Sequence, residues 1–84
     1  MKTQLLIELY DKSSEDFIDE IDINHYRIEN LNKLLPPNDV NDTQYTNGLF
    51  LNQSQFSMLQ KIILELKNYN FNDFDYCLIT RSLK

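Results

Sequence analysis

Strict alternation at both ends of the chain limits its fold more than any other feature. Between Thr3 and Tyr10, Leu5, Ile7 and Leu9 alternate with Gln4, Leu6, Glu8 and Tyr10. A period of two over this length is a β-strand with one wholly apolar face. Near the other end, Phe74, Tyr76, Leu78 and Thr80 alternate with Asp75, Cys77, Ile79 and Arg81, which predicts a closing strand. Asp11–Asp16 (DKSSED) supplies turn-forming side chains after the first strand. Phe17, Ile21 and Ile23 then share one parity and Glu20 and Asp22 the other, so an N-terminal β-hairpin is expected.

Two helices are predicted between these strands. Asn24 can cap the first, in which Ile28, Leu31, Leu34 and Leu35 recur at helical spacing until Pro36-Pro37 stops it. A polar stretch follows, broken by Val40 and Tyr45 and ending in Asn47-Gly48, a pair suited to the positive-φ turn that introduces a strand at Leu49-Phe50-Leu51. Asn52 and Gln55 have the spacing of a capping box. Phe56, Leu59, Ile62, Ile63 and Leu66 then draw an apolar stripe along a second helix, Asn52 to Lys67, which Asn68–Asn72 stops.

The expected fold class is α+β: a small antiparallel sheet of three to four strands with two helices on one face. With 84 residues, one domain spanning 1–84 is expected, every element contributing to the same core. Hydrophobic residues at 42% and charged residues at 25% suit an ordinary folded globule.

The net charge of −5 argues against nucleic acid or an anionic membrane as a direct ligand, since both call for clustered Lys and Arg. A basic protein is the natural partner, because complementary charge speeds encounter. The acidity is concentrated: between Asp11 and Asp22, the carboxylates of Asp11, Glu15, Asp16, Asp19, Glu20 and Asp22 face one base, Lys12. That face is either a solvated hairpin or a partner-binding surface. A calcium loop is disfavoured, for DKSSEDFIDEID lacks the tight-turn glycine and ends in Asp22 rather than Glu.

Enzymatic chemistry finds little support. His25, the single histidine, belongs to no recognisable nucleophile motif, and Gly48, the single glycine, leaves no phosphate loop. No cofactor or metal is expected. Cys77 is the only cysteine, so an intrachain disulfide is impossible; it reads as a small buried hydrophobe in a reducing compartment. The N-terminal apolar run is interrupted at Glu8, too short for a signal core or membrane span, and a cytoplasmic location is expected.

The segment LIELYDKSSEDF resembles the opening of the cloacin-type immunity proteins, which bind and block ribosome-inactivating colicin nucleases; there a strand ends in an aromatic followed by Asp-Lys-Ser-x-Glu-Asp-Phe. Here Tyr10 precedes Asp11-Lys12-Ser13-Ser14-Glu15-Asp16-Phe17, and Asn47-Gly48-Leu49-Phe50 resembles that family's Asn-Gly-x-Phe strand. The chain departs from it in lacking tryptophan and in its long second helix. The resemblance implies that Tyr10 and Phe17 are aromatic anchors on the sheet face and that Glu20 meets toxin Lys or Arg. It also implies that Leu49 tunes partner choice and that Tyr76 is a further anchor. Core packing is the competing role for Tyr10 and Phe17.

The expectation is therefore an immunity protein, not an enzyme, neutralising a basic toxin nuclease of a bacteriocin or contact-dependent inhibition system. Monomer and weak homodimer both remain open. A phage-encoded DNA mimic that inhibits a restriction or CRISPR effector is the alternative, and a small enzyme or metal-binding domain the third class.

Overall fold

In the computed structural model, which describes residues 2–83, the first and last strands lie side by side. β1 (Lys2–Tyr10) and β4 (Asp75–Leu83) are antiparallel, from Lys2 opposite Leu83 to Tyr10 opposite Asp75. β2 (Phe17–Asp22) pairs with the other side of β1, and the two-residue β3 (Leu49–Phe50) pairs with β4. The order across this four-stranded antiparallel sheet is β2-β1-β4-β3. The expected α+β class and N-terminal hairpin are both present.

The pleat assigns the faces. Leu5, Ile7 and Leu9 stand opposite Thr80, Leu78 and Tyr76, and Ile7 also opposite Ile21. All but Thr80 join the main core cluster, together with Leu31, Leu35, Phe56, Leu59, Ile63 and Leu66 from the helical layer. The helices therefore cover this one face. The other face carries Leu6, Glu8 and Tyr10 of β1 and Asp75, Cys77 and Ile79 of β4.

The first helix, α1 (Ile28–Leu34), starts later than expected and its N-cap, Arg27, makes no side-chain capping bond. Asn24 serves the sheet instead: its Oδ1 accepts the Leu5 N–H at 3.1 Å, while the Ile23 N–H donates to the Leu5 carbonyl. The side chain thus satisfies a strand donor rather than a helical one.

The capping box of α2 (Gln53–Ile62) forms as expected. The Gln55 N–H donates to Asn52 Oδ1 at 2.9 Å and the Asn52 N–H to Gln55 Oε1 at 2.8 Å. The helix does not run on to Lys67; Ile63 is extended, and Leu64–Leu66 form a 3₁₀ turn. Gln60 holds this exit, its side-chain amide donating to the Leu66 and Tyr69 carbonyls at 3.0 and 2.8 Å. Those bonds replace the helical partners the carbonyls lack, and Ile63 and Leu66 both remain fully buried. Asn52→Ala is expected to lower the free energy of unfolding by about 1 kcal/mol in urea denaturation, because two end-of-helix donors lose their partner geometry.

Ahead of β3, Gly48 has φ +77°, and a Cβ there would sit 2.8 Å from Cys77 Sγ. Both the left-handed backbone and the close approach require glycine. Tyr45, three residues earlier, is buried in the core and donates its hydroxyl to the Leu35 carbonyl at 2.7 Å, joining the polar loop to the end of α1.

Candidate functional site

The hairpin turn is built by its first acid. Asp11 Oδ1 accepts the N–H groups of Ser13 and Ser14 at 2.8 and 2.9 Å, and the Asp11 N–H donates to the Asp16 carbonyl. The hydrogen bonds from Ser14 and Ser13 hold the Asp11 carboxyl below its ordinary pKa. Glu15 takes a left-handed conformation, φ 63°, as the chain reverses. Asp11 is therefore occupied in forming the turn, whereas Glu15 and Asp16 are exposed.

Where the chain leaves the turn, a β-bulge changes which side chains face out. Leu9 is opposite Asp19, but Tyr10 is opposite Phe17, leaving Ile18 as the extra residue. Simple alternation gives Phe17 the same face as Ile21, toward the helices; the bulge moves it to the Tyr10 face. The Phe17 and Tyr10 rings meet edge to face with centroids 5.9 Å apart. Tyr10 also meets Phe50, at 6.0 Å. The result is an aromatic row on the face away from the helices, Phe17–Tyr10–Phe50, with Phe17 49% and Phe50 61% exposed and Ile18 exposed beside them.

A carboxylate anchors this row from below. Glu8 is buried, accepts the Tyr10 hydroxyl at 2.8 Å, and pairs with the Arg81 guanidinium, which reaches Glu20 at 3.4 Å on the strand beyond. A buried carboxylate is tolerable because both partners satisfy it. The hydrogen bond to Glu8 is the main reason the Tyr10 phenol is held above its ordinary pKa, burial adding to it. The bond to Glu8 orients the Tyr10 hydroxyl, and with it the ring, in this row.

The acids divide by what they touch. Glu20 is bound to Arg81, and Asp75, a contributor the motif did not suggest, is bound to Lys12 at 2.9 Å. Asp19 and Asp22 accept the N–H groups of Glu20 and Asn24. Glu15, Asp16, Asp19 and Asp22 form no ion pair among the described residues. They are exposed around the outer hairpin, with Asp19 on the Leu9 side of the pleat and Asp22 opposite Leu6 on the other.

Two expected contact residues lie elsewhere. Tyr76 is fully buried at 0% exposure, packed on Phe56, Tyr69 and Phe74, and donates its hydroxyl to the Asn70 carbonyl. Leu49, 4% exposed and opposite Leu78, also faces the core. Neither reaches a partner in this fold. Phe50, one residue after Leu49, occupies the exposed position; the alternation of β3 distinguishes the two only once its partner strand is known.

A second hollow, of about 250 Å³, lies away from this face and is lined by Asn24, Arg27, Glu29 and Thr80 among others. His25 is exposed, 3.0 Å from Glu65, with its ring tilted against Tyr26 at a centroid distance of 4.3 Å. Cys77 is a free, buried thiol that burial raises to about 11, so little reactive thiolate forms near neutrality. Among the described residues no three His, Cys, Asp or Glu side chains converge to hold a metal ion, and no helix is long and apolar enough to cross a membrane.

The model of a family described as "Domain of unknown function (DUF7683)" matches residues 4–79, a span that reaches from β1 into β4. No curated protein and no solved structure matches the chain.

Proposed function

Because the chain belongs to the DUF7683 family, whose description assigns no activity, we propose its role from its own surface: an immunity protein that binds and neutralises a basic toxin nuclease. One observation carries this reading, the exposed row Phe17–Tyr10–Phe50 beside hairpin acids that have no ion pair among the described residues. Rigid aromatics supply area to bury at low entropic cost, and surrounding acids steer a positively charged partner and reject anionic ones.

Inhibition proceeds by occupation. A nuclease carries positive charge where its polyanionic substrate lies, so an acidic face seated there excludes the substrate. The resemblance at Tyr10–Phe17 agrees with this mode, with Phe50 in place of Leu49 and Tyr76 as the third contact. The free Cys77 thiol suits work in the cytoplasm, where a toxin-producing cell needs protection.

Mixing the purified chain with the nuclease domain encoded by the adjacent open reading frame is expected to give a one-to-one complex that abolishes nuclease activity. The variant Asp16→Lys is expected to slow association severalfold, the wild-type rate falling as salt rises. Absence of binding to any adjacent toxin domain overturns the proposal.

A further inference from the structure

We propose that the hollow lined by Tyr10, Phe50, Glu15 and Asp75 receives one arginine side chain from a basic protein segment. The inference rests on the immunity reading and assigns the chemistry of the contact at the end of the aromatic row. The hollow has a volume of about 350 Å³, enough for a long side chain. Two of its lining groups are aromatic and two are carboxylates. That combination suits a cation carried on a flat, weakly hydrated group.

Arginine fits better than lysine for geometric reasons. Tyr10 and Phe50 are already in contact, 6.0 Å apart and tilted by 50°, so a guest lies against the pair rather than between the rings. A planar guanidinium can rest on a ring while its edge donates to a carboxylate; a compact ammonium gives up more hydration to do the same. Glu15 has no ion pair among the described residues.

The fold already seats a cation at this end of the sheet. Lys12 donates to Asp75 at 2.9 Å, and its Nζ lies 4.8 Å from the centre of the Phe71 ring. Both members of the Lys12–Asp75 pair are substantially exposed, so the pair is weak and an incoming guanidinium can share or displace it. Lys12 is therefore a built-in competitor for Asp75.

The test uses the isotope-labelled full chain titrated with Nα-acetyl-arginine methylamide and followed by amide chemical shifts. Shifts are expected to cluster at Tyr10, Glu15, Phe50 and Asp75, and the neutral citrulline counterpart to bind about tenfold more weakly. Glu15→Gln is expected to weaken the arginine compound about threefold and Lys12→Met to tighten it about threefold, each a charge effect at an exposed site. Equal binding of the citrulline compound, or shifts confined to other residues, overturns the assignment. Nuclease binding without an arginine response at the hollow overturns this inference and leaves the immunity reading standing. An arginine response without nuclease binding overturns the immunity reading and supports the hollow.

Discussion

Tyr76→Ala is expected to remove about 3–5 kcal/mol of unfolding free energy, the usual cost of deleting a large aromatic from a packed core. Its ring lies 4.5 Å from Phe56, with Phe74 and Tyr69 edge-on at 6.1 and 6.5 Å, and Phe56 continues the cluster to Phe71. The substitution also leaves the Asn70 carbonyl without its 2.6 Å hydroxyl partner. A domain of this size has a total stability of roughly 4–12 kcal/mol, so the variant keeps little margin at room temperature. Phe50→Ala, on an exposed ring, is expected to cost less than about 1 kcal/mol while weakening binding to the proposed toxin partner. Urea denaturation of both variants checks the pair. A loss below about 1 kcal/mol for Tyr76→Ala contradicts its place in the core.

Alkaline unfolding between pH 10 and 12 is the second large effect. Burial raises the Tyr45 and Tyr76 phenols from 10.0 to about 12. In that window the unfolded chain has released protons that the fold still holds, so stability is full below pH 10 and falls as pH rises toward 12. Such a shift is on the order of 3 kcal/mol per group, so the two tyrosines together account for a loss of several kcal/mol. Cys77, raised from 9.0 to about 11, adds a loss in the same direction beginning one unit lower. The loss of far-UV circular dichroism is expected to coincide with the part of the phenolate absorbance that Tyr45 and Tyr76 contribute. Tyr76→Phe is expected to move that midpoint upward while lowering stability at neutral pH by about 1 kcal/mol, since it removes the ionisable group along with one hydrogen bond. Phenolates that all titrate near pH 10 with the fold intact contradict the burial.

Tyr76 also shows how a residue's own spacing and a motif resemblance can disagree. The alternation Phe74, Tyr76, Leu78, Thr80 places Tyr76 on the same side as Leu78, and Leu78 is fully buried. The looser match to an aromatic anchor pointed outward instead. The pleat prevails because the backbone sets it residue by residue, whereas an interface role depends on a surface that a single chain position does not specify. Tyr45 was legible only as an apolar interruption of a polar loop; the fold buries its ring in the core, where its hydroxyl finds the Leu35 carbonyl.

The sequence by itself determined the strands, the capping box, the proline stop, the turn at Gly48 and the concentration of acid in one hairpin, all consequences of neighbours within a few residues. Tertiary structure decided the rest. The bulge at Ile18 carried Phe17 across to the Tyr10 face, because opposing strands of unequal residue count must shift register. Pairing of β3 with β4 chose Phe50 over Leu49 for the exposed position. Extended backbone at Ile63 ended α2 early, with Gln60 bonding the carbonyls beyond it. Each outcome depends on which backbone and side-chain groups pair across the fold, within the hairpin for the bulge and between distant strands for Phe50, and those pairings set an acidic hairpin beside an exposed aromatic row.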